Sequence, residues 1–188
     1  MEKKTKNLGG IGYILLLAGM VLGFALPGIN LLLTIGGFVM ILIAYLNLSG
    51  EFNEPDLKSL VIKSVLFGVA AAVLMLVAFG AGFAAAFKAT EAAESAMPKF
   101  SAGLIVVGLI AYGLTVYASY LWYKANVLVA EHTNVNLFKT GGLLQFIGTA
   151  AAIIIVGGIV SFVGLILLTV AFFSTEEVET AQPAPPVA

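Results

Sequence analysis

Long apolar runs constrain this chain more than any other feature. A helix needs about 20 mostly apolar residues to cross the roughly 30 Å hydrocarbon core of a bilayer. Runs close to or beyond that length recur along the whole chain, at Leu8–Leu26, Leu31–Leu46, Val65–Phe87, Ala102–Trp122 and Gly141–Phe173. The second run is short, but it can extend into Asn47 and Ser49. We therefore predict an all-α membrane protein, a bundle of five to six transmembrane helices.

Composition supports lipid as the solvent of these runs. Apolar residues make up 61% of the 188 residues and charged residues only 10%, against about 45–50% and about 25% in soluble domains. A soluble fold of this length leaves a large fraction of its side chains in water. It could not cover so much apolar surface, so a soluble fold is excluded.

The length of the last run decides the number of crossings. As one helix, Gly141–Phe173 would be about 50 Å long, far more than a bilayer needs. Gly157-Gly158 lies near its middle, where a helix is easily broken, so a hairpin of two short crossings is predicted. One long tilted helix stays open. The first two runs, separated by a turn predicted at 27–30, form an N-terminal hairpin. The two hairpins flank a central helix pair.

Polar segments divide the chain into three parts. Residues 1–7 form a basic head, 8–174 the transmembrane domain, and 175–188 an acidic, proline-rich tail that is predicted to be disordered. The larger polar connections are predicted at Gly50–Lys58 and Asn126–Thr140. With the N-terminus inside and six crossings, seven lysines lie on the inner side and only Lys88 and Lys99 on the outer side, and basic residues favour the inner side of a membrane. We expect a protein of the cell membrane with a cytoplasmic N-terminus; six crossings place the tail inside and five place it outside.

Residue types exclude several kinds of chemistry. The chain has no cysteine and no arginine, so thiolate chemistry and bidentate phosphate clamps are absent. The sequence has no basic patch with interleaved aromatic residues, so nucleic acid is not expected as a partner. Glu131-His132 resembles a catalytic pair but lacks further metal ligands or a nucleophile, and Glu91 and Glu94 are expected to be solvated. We predict no catalytic, cofactor or metal site, and no enzyme.

Neutral groups and small residues remain as candidates. The runs carry polar groups without charge, which argues against a proton-coupled pump or a voltage sensor, and Gln145 and Thr115 mark where a polar cavity would lie. Small residues four apart let helix backbones approach closely in lipid, and they occur at Gly19/Gly23, Gly68/Ala72 and Ala78/Gly82/Ala86. These faces are expected to pack within the bundle, or against a second copy or another membrane protein.

Three stretches of the chain have a recognisable pattern: the opening 6–12, the loop 46–57 with Asn53-Glu54-Pro55, and the passage from Asn136 through 171–174. Together they resemble the archaeal and bacterial membrane family designated domain of unknown function 996. It implies a small multi-pass membrane protein and carries over no functional residue.

Two functions follow as expectations. The first is a non-catalytic accessory, scaffold or envelope protein that acts through helix packing. The alternative is a small transporter or channel for a neutral solute or an ion. A faint repeat between the openings of the two hairpins, at Gly9-Gly10 and Gly141-Gly142, suggests the alternative, because transporters are often built from duplicated units.

Overall fold

The described residues form six α-helices joined by short connections. A computed structural model describes residues 1–23, 27–92, 102–152 and 155–177. Its helices are α1 (Lys3–Leu22), α2 (Pro27–Glu51), α3 (Pro55–Ala92), α4 (Ala102–Thr133), α5 (Asn136–Ala150) and α6 (Ile155–Ser174). All except α5 are long and apolar enough to cross a membrane. The prediction of an all-α bundle with five to six such helices is confirmed.

The helices pair into three antiparallel hairpins that form a ring. Each odd-numbered helix packs most closely on the helix that follows it. Contacts of α4 with α5, of α1 with α6 and of α2 with α3 join the hairpins into the ring. The contact between α2 and α3 is the least extensive of the six. The predicted terminal hairpins on either side of a central pair are therefore present.

The start of the chain and the end of α6 lie at the same end of the bundle. The Met1 amino group is 3.4 Å from the carbonyl oxygen of Glu176, and the Glu2 amide donates to the Glu51 carboxylate at 2.9 Å. We call this the lysine-rich end, because the helix segments that meet there carry seven of the nine lysines, namely Lys3, Lys4, Lys6, Lys58, Lys63, Lys124 and Lys139.

The best-packed part of the core is also at the lysine-rich end. Its fully buried side chains come from all three hairpins and include Tyr45, Leu48, Leu57, Val61, Val129, Phe138 and Phe172. Leu57 and Phe138 stand directly beside charged residues in the sequence, and such charges led to the prediction of loops at these helix ends. Burying apolar surface stabilises the folded protein by about 25 cal/mol per Å². This gain offsets the low hydropathy of these segments.

This core corrects the predicted connections. The polar loop at Gly50–Lys58 shrinks to residues 52–54, and most of Asn126–Thr140 is helical. The predicted turn at 27–30 is also wrong, since Pro27 opens α2, a position that suits proline because the first helical amide has no partner. The last run does divide into two helices, but α5 ends at Ala150 and Gly157-Gly158 lies inside α6.

Outside this core, the bundle exposes large apolar side chains in every direction. Leu32, Leu76 and Leu109 are each more than 60% exposed. Soluble proteins seldom expose continuous apolar patches beyond a few hundred Å². Helices that are apolar on nearly all faces belong in lipid, so the exposed surface fits a bilayer.

Glycines bring the paired helices of the terminal hairpins into backbone contact. A Cβ on Gly37 would lie 2.6 Å from the Gly12 carbonyl oxygen, and one on Gly164 would lie 2.8 Å from that of Gly141. Of the small-residue faces predicted, Gly19 does pack closely, with Thr34 Oγ1 at 3.0 Å from its ideal Cβ. At Gly68 the expected packing within the bundle is absent, because a Cβ there meets nothing within 4 Å. The side chains of residues 82 and 86 lie outside the described part of the chain.

The head and the start of the tail are packed together. Lys3–Asn7 already belongs to α1. The Lys6 ammonium donates to the Thr175 carbonyl oxygen at 2.9 Å and lies 3.4 Å from the Glu177 carboxylate. Thr175 is 4% exposed. The first three residues of the predicted tail therefore contact the head; residues 178–188 lie outside the described residues.

Candidate functional site

A cavity of about 410 Å³ lies between the three hairpins. It is bordered by α1 to α5, on the side of the buried core that faces away from the lysine-rich end. Most of its wall is apolar, and its polar contributors are few and uncharged. Its lining side chains are Tyr13, Leu16, Phe38, Ile41, Ser64, Val65, Val69, Ala72, Thr115, Ala118, Ser119, Trp122, Gln145 and Thr149, with Gly68 beside them.

The hydroxyl groups in the wall are occupied by internal hydrogen bonds. Thr115 donates to the Ala111 carbonyl at 2.9 Å, and Ser64 donates to the Ala118 carbonyl at 2.8 Å. Ser119 donates to the Thr149 hydroxyl at 3.2 Å. The Thr149 hydroxyl in turn donates to the Gln145 carbonyl at 2.8 Å. Each hydroxyl has used its one proton and keeps only acceptor capacity.

The side-chain amide of Gln145 differs from these hydroxyls. Within the described part of the chain it makes no hydrogen bond, and the residue is half-buried in the cavity wall. An amide offers two donors and an acceptor. Gln145 therefore supplies the unused hydrogen-bond donors of a largely apolar chamber. Gln145 and Thr115, which the sequence marked as the place where a polar cavity would lie, both line this cavity, although its wall is mostly apolar.

Tyr13 in the cavity wall belongs to a buried polar chain that joins three helices. The Tyr45 hydroxyl donates to Asn126 Oδ1 at 2.5 Å, and the Tyr13 hydroxyl lies 3.3 Å from that of Tyr45. Because the Tyr45 proton is committed to Asn126, Tyr13 must donate to Tyr45. Asn126 also donates to the Trp122 carbonyl at 2.9 Å, and the Trp122 ring lies 4.6 Å from the Tyr45 ring. The Tyr45 ring thus packs against the Trp122 ring, which lines the cavity.

The cavity opens sideways between α2 and α3. These two helices have the least extensive contact in the ring, and the residues with which they line the cavity include Phe38 and Val69, which are 42% and 57% exposed. Neighbouring exposed side chains on both helices are large and apolar. The mouth therefore meets the hydrocarbon of the bilayer rather than water.

The Glu131-His132 pair lies far from this cavity, near the end of α4. His132 Nδ1 is 2.9 Å from the Leu128 carbonyl oxygen, which can only accept, so this nitrogen carries a proton. The His132 ring stacks on Phe52 at 4.8 Å, and its Nε2 lies 3.8 Å from the Glu54 carboxylate. These contacts attach the α2–α3 connection to α4. The pair is helical, not in a loop as predicted.

Metal ligands are not gathered elsewhere in the described residues. No group of three or more histidine, cysteine, aspartate or glutamate side chains is placed to hold an ion among them. Glu91 lies in α3, but its side chain, like Glu94, is outside the described part.

Sequence reasoning missed the polar chain of Tyr13, Tyr45 and Asn126. Both tyrosines stand inside apolar runs, where a single phenol ring is usual and signals nothing. Asn126 stood at the start of a predicted loop. The one available signal was that an amide and two phenols are costly in an apolar interior unless they are paired.

Comparison with known proteins identifies the family of this chain. Residues 33–166 match the family described as protein of unknown function DUF996. The chain belongs to this family. It is also 36% identical, over 173 residues, to an uncharacterised protein of Methanocaldococcus jannaschii, with 92% of each chain covered. No solved structure matches. The predicted resemblance is confirmed, and neither description gives an activity for the DUF996 chain.

Proposed function

We propose that this DUF996 protein is a non-catalytic membrane protein that binds an apolar molecule of the bilayer in the cavity between its hairpins. The carrying observation is the sideways mouth, which connects an apolar chamber to hydrocarbon. The volume of about 410 Å³ falls within the range of about 300–1,000 Å³ for small-molecule sites. A molecule that enters from lipid has no need to cross a polar surface.

The wall favours a ligand that carries one hydrogen-bonding group. The unused amide of Gln145 is the donor, and Thr115 and Ser119 keep acceptor lone pairs beside it. A chain bearing one hydroxyl or carbonyl satisfies this arrangement. A charged ligand is disfavoured, because no lining side chain offsets the loss of hydration of an ion.

Quenching of Trp122 fluorescence tests this proposal. Trp122 is the only tryptophan in the chain and lines the cavity, so a brominated fatty alcohol quenches it on entry. We expect saturable quenching, stronger than with a brominated alkane of equal length. In Gln145→Leu the preference for the alcohol falls about three- to tenfold, the worth of one hydrogen bond of about 0.5–1.5 kcal/mol.

A matched pair of glycines supplies the control. Gly68 lines the cavity and Gly113 does not, and a Cβ at either position meets nothing within 4 Å. Gly68→Leu fills the chamber and abolishes saturable quenching, whereas Gly113→Leu leaves it as in the wild type. Equal quenching of these two variants, or linear quenching of the wild-type protein without saturation, contradicts the proposal.

An accessory or scaffold role through helix contacts is the second candidate. Gly36, Gly113 and Gly158 have open space at their Cβ positions, and Gly113 and Gly158 are exposed on the surface that meets lipid. Small residues there allow a partner helix to approach closely. Native mass spectrometry of the detergent-solubilised protein tests this role, and a lone monomer without a co-purifying protein counts against it.

Transport of a neutral solute or an ion stays a prediction. The mostly apolar wall and the occupied hydroxyls disfavour a water-filled path. A liposome flux assay decides it, since movement of ions or neutral solutes above that of empty vesicles would support transport over binding.

For orientation in the cell membrane, we propose a cytoplasmic N-terminus. Support comes from the seven lysines gathered at the end where the N-terminus lies, because cytoplasmic segments carry an excess of basic residues.

A further inference from the structure

A second depression lies on the outer surface of the bundle, between α3 and α4. Its volume is about 470 Å³, and it is separate from the central cavity, with which it shares no lining residue. Lys63 from α3 and Lys124 from α4 border it, together with Tyr120 and Tyr123. Two basic side chains from different helices thus face one space.

The two lysines are available to an anion. Among the described residues no carboxylate lies within 4 Å of either ammonium group, since the ion pairs there involve only Lys6 and His132. Lys124 Nζ lies 5.6 Å from the centre of the Tyr120 ring, a cation–π distance that orients it. Asp56 also lines the depression, so the lysines and this carboxylate leave a net charge of +1.

The depression sits where the apolar surface ends. Exposed large apolar side chains begin beside it, with Ile62 and Leu66 at 42% and 64% exposure. Toward the lysine-rich end, the exposed residues are instead charged, such as Lys58 and Glu131. Tyrosines with lysines at such a boundary mark the headgroup level of a bilayer. Leu60 and Leu128 complete the wall and give it an apolar side.

We infer that this depression binds the phosphate of an anionic phospholipid. Lys63 and Lys124 contact the phosphate, and the tyrosine hydroxyls supply further donors. The apolar side receives the first part of an acyl chain. A water-soluble phosphate compound offers the same charge but leaves that side uncovered, and the depression opens at the level of lipid headgroups. The site therefore takes its ligand from the membrane.

Native mass spectrometry of the full chain in lipid nanodiscs tests this inference. The wild-type protein should retain phosphatidylglycerol at least tenfold better than phosphatidylcholine. In Lys63→Gln/Lys124→Gln this preference falls below about threefold. The control Lys58→Gln/Lys139→Gln removes two exposed lysines from the same end that do not line the depression, and it should keep the preference.

Three results would overturn the inference. The first is an unchanged preference in the Lys63→Gln/Lys124→Gln variant. The second is an equal loss in the control, which would indicate the total charge of the end rather than a site. The third is full displacement of phosphatidylglycerol by 10-fold excess inorganic phosphate, which would make the site one for free phosphate. All four variant residues are exposed, so the protein keeps its fold in each arm.

Discussion

Removing the hydrogen bond between Tyr45 and Asn126 measures how much one buried polar pair stabilises this bundle. It joins α2 to α4 across the ring, and both residues are fully buried. In Asn126→Ala the Tyr45 hydroxyl loses its acceptor, and we expect a loss of about 1–3 kcal/mol in the free energy of unfolding. Unfolding of the protein by increasing SDS in mixed micelles measures it. Tyr117→Phe, which removes a hydroxyl at a 47% exposed position, should change the free energy of unfolding by less than about 0.5 kcal/mol.

Replacing both partners distinguishes a bond from a packing effect. Tyr45→Phe with Asn126→Leu leaves no unpaired group at this contact, apart from the Tyr13 hydroxyl. The double variant should therefore lose less stability than the sum of its single variants. Strict additivity would show that the two side chains do not act as a pair.

For single residues, the sequence predicted the positions of aromatic side chains at the surface better than those of aromatic side chains in the interior. Tyr120, Tyr123 and Lys124 stand together at the end of an apolar run, and that cluster indicated an interface. Tyr13 and Tyr45 stand alone within apolar runs. Helices without an apolar and a polar face do not reveal which side faces the interior, so the inward direction of both rings could not be predicted.

At the scale of helices, adjacent glycines in α2 provide a matched experiment. A Cβ on Gly37 would lie 2.6 Å from the Gly12 carbonyl oxygen, whereas one on Gly36 meets nothing within 4 Å. Gly37→Ala forces α1 and α2 apart, and we expect a loss of about 1–3 kcal/mol. Gly36→Ala should be neutral or stabilise the helix by up to about 1 kcal/mol. Thermal unfolding in detergent compares the two; equal effects would rule out close packing of the hairpin.

The helix boundaries show what hydropathy can and cannot predict. It found the apolar parts of the helices, because those parts meet lipid. It ended the helices too early at the lysine-rich end, where α3 and α4 continue past charged residues to bury Leu57 and Val129. That continuation depends on contacts between distant parts of the chain. The same limit applies to Gly157, whose role is packing against Gly148 and not breaking the helix.

At the scale of the whole molecule, the three hairpins differ in how firmly they are joined. A packed core and the contacts of Lys6 with Thr175 and Glu177 hold the lysine-rich end together. Toward the middle, α2 and α3 separate and the cavity opens. The number of hairpins followed from run lengths in the sequence. The cavity did not, because it depends on the sparse contact between two helices whose sequences are as apolar as the rest.

Whether α5 crosses the membrane can be tested from the positions of the other helix ends. With 15 residues it is about 22 Å long, shorter than the hydrocarbon core of about 30 Å, yet the start of α1 and the end of α6 lie at the same end of the bundle. The chain has no cysteine, so single-cysteine variants report the side of each position. Lys58→Cys and Ser174→Cys should react with a membrane-impermeant maleimide only after cells are permeabilised. Ala96→Cys, between α3 and α4, should react in intact cells.

Opposite behaviour of positions 58 and 174 would show that α5 does not cross the membrane. Reaction of both positions in intact cells would place the lysine-rich end outside and contradict the positive-inside bias.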